Sequence, residues 1–109
     1  MYTKKTLNEL IIRLAQIVSK EITINALYLF GSYAGGKPKV ESDVDIAIVS
    51  DDFQGVRFYD RQRIITLLVN ATYPQYQFAD VEIHPFKTEH FTSSDPFVAE
   101  IIHKGERIV

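Results

Sequence analysis

The chain has 109 residues, 46% of them hydrophobic and 24% charged, with a formal net charge of −2 and no cysteine. Such a chain builds one core, so residues 1–109 are expected to form a single domain, and its charge argues against general nucleic-acid binding, which needs a basic patch or stripe. Disulfides and zinc–thiolate sites are excluded, no apolar run approaches the roughly 20 residues that span a bilayer, and the N-terminus lacks a signal peptide's apolar segment, so a cytoplasmic location is expected.

The pattern from Thr6 to Lys20 predicts an amphipathic helix, because Leu7, Leu10, Ile11, Leu14, Ile17 and Val18 recur at three- and four-residue steps. Ala26–Phe30 reads as a buried strand that stops at Gly31 and Ser32. Gly35, Gly36 and Pro38 mark a loop with Lys37, Lys39, Glu41 and Ser42 around it. Val44–Val49 is a second strand, apolar enough to be covered on both faces, and Ser50-Asp51-Asp52 ends it. A second helix is expected over Phe58–Asn70, with Ile64, Ile65, Leu67 and Leu68 inward and Arg57, Arg61 and Arg63 at its entry and exposed face. Tyr73-Pro74-Gln75 is the turn after it.

The third strand, Phe78–Pro85, alternates: Phe78, Asp80, Glu82 and His84 share one face, and Ala79, Val81 and Ile83 the other. A last helix spans Asp95–Lys104, with Asp95 as N-cap, Pro96 in the first position and Gly105 as the stop. Glu106–Val109 is a short tail suited to an edge strand. The order α-β-β-α-β-α implies a small α/β sheet with helices packed on it.

Chemistry concentrates at two elements separated by ten residues: Gly31-Ser32 and Asp43-Val44-Asp45. A glycine permits close backbone approach, and Ser32 is a good helix N-cap. A strand feeding a helix start aims free N–H groups at one point, which attracts phosphate. Asp43 and Asp45 are two apart at a strand entrance, so their carboxylates face the same way about 6–7 Å apart. That pairing suits Mg²⁺ held against a nucleoside triphosphate. Asp80 interrupts an apolar pattern, and an acid in a small sheet is costly unless paired or metal-bound. Glu82 is the second choice on that strand. His84, His90 and His103 show no metal-ligand spacing in sequence and read as surface or strand-end residues.

Gly31-Ser32-Tyr33-Ala34 followed by Ser42-Asp43-Val44-Asp45-Ile46 resembles the signature of nucleotidyltransferases related to DNA polymerase β. The short length resembles the minimal nucleotidyltransferase (MNT) family, small proteins often encoded beside a helical HEPN-domain partner. The resemblance implies an α+β fold with a mixed sheet of the polymerase β type. It also implies Asp43, Asp45 and Asp80 as catalytic metal ligands for two Mg²⁺ ions, and Gly31 and Ser32 as the nucleotide-binding pair. The implied activity moves AMP from ATP to a hydroxyl, with release of pyrophosphate. The acceptor implied by some family members is a tyrosine of a HEPN toxin, which makes the activity that of a protein adenylyltransferase. The alternative is a non-catalytic antitoxin that neutralises such a partner by contact. Relatives often carry arginine where this chain has Gly35, and a glycine supplies no charge to phosphate.

Overall fold

The computed structural model describes residues 2–36, 38, 43–70 and 81–109. Helix α1 (Lys4–Val18) starts two residues before the expected boundary because Thr3 caps it, its hydroxyl accepting from the Thr6 N–H at 3.2 Å. Leu7, Ile11, Leu14 and Val18 form its buried stripe. Strand β1 (Ala26–Phe30) and strand β2 (Val44–Ser50) pair antiparallel, with Phe30 opposite Asp45. Helix α2 (Phe58–Asn70) then carries the chain back, so that strand β3 (Val81–Lys87) runs parallel to β2, with Glu82 beside Asp45. Helix α3 (Pro96–Lys104) is followed by a two-residue strand β4 (Glu106–Arg107), antiparallel to β1.

The sheet order is β3-β2-β1-β4, a mixed sheet that gives the α+β fold expected. Its two faces differ in kind. One buries Leu27, Leu29, Val44, Ile46, Ile48 and Ile83 with the stripe of α1, Phe53 and Ile65. Residues of the opposite parity, Tyr28, Phe30, Asp45, Ala47, His84 and Phe86, line the other face. There Phe97 of α3 meets Phe30 edge-on at 5.8 Å, and Phe91 lies 5.3 Å from Tyr28 and 5.2 Å from Phe86. Helices α1 and α2 thus cover an aliphatic face, and α3 covers an aromatic one that ends in polar residues.

Several boundaries differ from the sequence pattern for physical reasons. Strand β3 runs past Pro85 to Lys87, which an edge strand tolerates because its outer N–H row has no neighbour to serve. Arg61 is not on an exposed face: it is 8% exposed, and its guanidinium lies over the Phe58 ring at 5.4 Å. Leu67, expected in the core, is 60% exposed, because it lies two positions, or about 200°, around the helix from buried Ile65. The expected strand start at Phe78 and the turn at Tyr73-Pro74-Gln75 lie outside the described residues, as do Lys37, Lys39, Glu41 and Ser42.

Asp95 caps α3 as expected, accepting from the N–H groups of Phe97 at 2.9 Å and Val98 at 3.3 Å. Gly105 ends it with φ −80°, so a left-handed stop is not its reason. A Cβ there would collide with the Ile101 carbonyl and come within 2.9 Å of the Leu29 carbonyl. Glycine lets the end of α3 lie directly on β1.

Candidate active site

The ends of β1, β2 and β3 bring the site together on the aromatic face. Beyond Phe30 the chain makes one turn, Gly31–Gly36, closed by the Gly35 N–H on the Gly31 carbonyl at 3.1 Å. Among the described residues no α-helix follows, contrary to the helix start expected at Ser32. Gly36, with φ +72°, turns the chain out of helical geometry after one turn. Ser32 is exposed on this turn, and Tyr33 anchors it, its hydroxyl accepting from the Tyr2 N–H at 3.3 Å.

Gly31 has φ +76°, and a Cβ at this position would collide with Oδ2 of Asp45. The turn and the carboxylate are therefore in direct contact, an arrangement closed to any side chain. The Gly31-Ser32 and Asp43-Val44-Asp45 elements thus touch at Gly31 and Asp45.

Asp43 lies exposed just before β2, and Asp45 is partly buried within it. Burial raises the Asp45 carboxyl above the usual carboxylate range. The charge of Glu82 pushes the same way, the His84 imidazole opposes it, and Asp43 adds to the rise. Asp80 lies outside the described residues. Its runner-up, Glu82, is the acid on β3 that stands beside Asp45.

The residue missed in the sequence is His84. Its Nε2 lies 3.8 Å from Asp45 Oδ1 and 3.7 Å from Glu82 Oε1. The alternation along β3 had already put His84 on the face of Glu82. What that pattern lacks is the parallel register that slides both residues against Asp45. His90 and His103 are exposed, as expected.

A cleft of about 360 Å³ opens beside Asp45, between the Gly31 turn and α3. Phe30, Phe97 and Ile101 line it, and Glu100 and Lys104 stand at its rim, paired at 3.8 Å. Among the described residues no helix is long and apolar enough to cross a membrane.

The sequence model of the polymerase β nucleotidyltransferase family matches residues 13–109. The chain belongs to that family.

By sequence alone, no curated protein matches the chain. Solved structures do share the fold of this nucleotidyltransferase domain. A candidate nucleotidyltransferase from Sulfolobus solfataricus is 17% identical, with a TM-score of 0.55, over 95% of this chain and 75% of that one. A toxin–antitoxin complex with AMP-PNP is 21% identical, with a TM-score of 0.56, over 92% and 70%. A mutant of the MntA–HpeT toxin–antitoxin pair is 19% identical, with a TM-score of 0.54, over the same 92% and 70%. At these identities the likeness is one of fold.

The family uses divalent cations, and the residues of this nucleotidyltransferase domain fit one. Ligand atoms of Asp45, Glu82 and His84 lie within 4.8 Å of one another. His84 Nε2 is buried against these carboxylates with no hydrogen-bond partner among the described residues. A buried polar atom without a partner costs about 1–3 kcal/mol, and an ion between the three groups would serve all of them.

Proposed function

We propose that this nucleotidyltransferase domain moves AMP from ATP to a hydroxyl on a partner protein. The contact of the Gly31 turn with the Asp45 carboxylate carries the reading. It brings a backbone that can approach phosphate against acids that can hold Mg²⁺. The toxin–antitoxin fold relative crystallised with AMP-PNP supports a nucleotide as substrate and a toxin as partner.

In this reading Gly31 and Ser32 hold the β- and γ-phosphates through backbone amides and the serine hydroxyl. Asp43, Asp45 and Asp80 hold two Mg²⁺ ions. Bound cations neutralise the triphosphate and lower the pKa of the attacking hydroxyl. That oxygen forms a bond to the α-phosphorus as the bond to the β-phosphate bridge breaks, and pyrophosphate leaves. The proton passes to the acid on the third strand, Asp80 first and Glu82 second. The cleft floored by Phe30 and Phe97 takes the nucleoside. In this reading the surface of a helical HEPN-type partner closes the site over the acceptor hydroxyl.

The test is incubation with α-labelled ATP, Mg²⁺ and a co-encoded helical partner. Label is expected on a tyrosine of the partner and is lost when Asp43 and Asp45 become asparagine. Tight association without label, unchanged by those substitutions, would overturn the enzyme reading in favour of a contact inhibitor. Gly35 favours that second reading. Among the described residues a Cβ there meets only the Gly31 and Ser32 carbonyl oxygens at 3.7 Å, an ordinary contact that does not require the glycine. Gly35→Arg should fold normally and, if lost charge limits the rate, increase transfer.

A further inference from the structure

We propose that His84 is a metal ligand, and that through it this site prefers Mn²⁺, Co²⁺ or Zn²⁺ to Mg²⁺. The proposal rests on the reading that a divalent cation is held here, and adds which residue of this chain selects it.

The geometry argues it in three steps. First, His84 Nε2 lies 3.8 Å from the Asp45 oxygen and 3.7 Å from the Glu82 oxygen. Both are too long for hydrogen bonds. Two ligands on one ion, each bonded at about 2.1 Å, stand about 3.0 Å apart at right angles and about 3.4 Å apart at the tetrahedral angle. The observed gaps of 3.7 and 3.8 Å close onto an ion with a movement of about 0.3–0.8 Å. Glu82 has the freedom for it, with 59% of its side chain exposed.

Second, the imidazole is aimed rather than loose. Phe30 meets its ring edge-on at 5.1 Å, and Phe97 lies 6.1 Å away on the other element. The ring is packed by apolar neighbours, while its buried Nε2 lies near the carboxylates and has no hydrogen-bond partner among the described residues. A histidine serving only as packing would not need an acid on either side of its nitrogen.

Third, the donor set has a chemical preference. Two carboxylates and a neutral imidazole present a charge of −2 and one nitrogen to a divalent cation. Oxygen-only sites suit Mg²⁺, whereas imidazole suits Mn²⁺ less than Co²⁺ or Zn²⁺ but all three better than Mg²⁺. A metal held by Oδ1 of Asp45 lies on the side of the carboxylate that His84 faces.

The experiment loads the full chain with Mn²⁺ and records electron spin-echo envelope modulation. A directly bonded imidazole nitrogen gives ¹⁴N modulation on the bound ion. Wild type should show it, and His84→Phe, which keeps the aromatic packing, should not. His84→Phe should also lower the ratio of Mn²⁺ to Mg²⁺ affinity by about 10-fold or more, the range seen when metal-site partners are lost. Should His84→Phe fail to melt cooperatively, His84→Gln serves in its place. Mn²⁺ bound without ¹⁴N modulation, with an unchanged affinity ratio in the variant, overturns the ligand assignment and leaves the carboxylate site and the proposed transfer standing. No binding of Mn²⁺ or Mg²⁺ to the wild type, with ATP present, overturns the metal site itself and this inference with it.

Discussion

Strand β2 has an aspartate pair at each end, and the fold treats the two pairs oppositely. At its C-terminal end, Asp52 accepts the Thr23 N–H at 2.7 Å and Asp51 accepts the Asn25 side-chain amide at 3.2 Å. Asn25 returns the contact, taking the Asp51 N–H at 2.8 Å. These acids tie the α1–β1 loop to the sheet and are satisfied by it. At the other end, Asp45 lies against the Gly31 backbone and beside a second acid, Glu82, and burial first, then the charge of Glu82, disfavours its charged form. Asp51 and Asp52 stabilise the fold, whereas the charge of Asp45 is held at a cost. Acids retained against local preference are where chemistry is expected.

The comparison is broken most severely by Asp45→Asn. It should reduce nucleotide transfer by more than about 100-fold, since even the outer partners of metal ligands are worth about 10–100-fold. It should also raise the melting temperature of the metal-free protein, and calorimetry with transfer assays would read both. A variant that lost stability as well as activity would place Asp45 with the structural pair.

Gly31→Ala comes next. A non-glycine residue at positive φ costs about 1–3 kcal/mol, and the methyl group would displace the Asp45 carboxylate. The variant should melt several degrees lower and lose the upward shift that ATP with Mg²⁺ or Mn²⁺ gives the wild type. Retention of that shift would separate the turn from the nucleotide.

Asp52→Ala should cost about 1–2 kcal/mol, because it leaves the Thr23 N–H without its charged acceptor, while the metal-dependent shift survives. Loss of the metal response in this variant would erase the distinction between the two ends.

The smallest effect is on pH. The folded Asp45 pKa lies above its ordinary value of 3.8, so between those values the native state binds more proton than the unfolded chain. Stability therefore falls as pH rises through that window, and the penalty is fully present above it. Metal-free protein should gain stability as pH falls through that window, and Asp45→Asn should lose that gain. Thermal melts across this range would show it, and a flat wild-type profile would remove the burden assigned to Asp45.

Local pattern made much of this molecule legible. The apolar run Ala26–Phe30 and the helix Phe58–Asn70 have the bounds their patterns predict, and Asp95 caps α3. Gly31 and Asp45 were readable as partners because a strand end, a glycine and a second strand entrance agree. Long-range placement was not legible. His84 looked like part of an ordinary polar face until the β2–β3 register set it against Asp45. Arg61 looked exposed because charge suggests solvent, while its position on α2 turns it inward with Ile65. The helix after Ser32 failed for a local reason, the two glycines that follow it.

The register of β3 also bears on when the site comes into being. Phe30 and Asp45 pair across 15 positions of chain, whereas each β2–β3 pair, such as Val44 with Val81, spans 37. Closing the longer loop demands more order beforehand, and α2 has to form within it. The β1–β2 hairpin is thus the early candidate during folding, and the Glu82–His84 edge docks late. Changes at Glu82 and His84 should leave the folding rate nearly untouched and act on unfolding instead, which frees that edge to vary without endangering the route by which the chain reaches its native state.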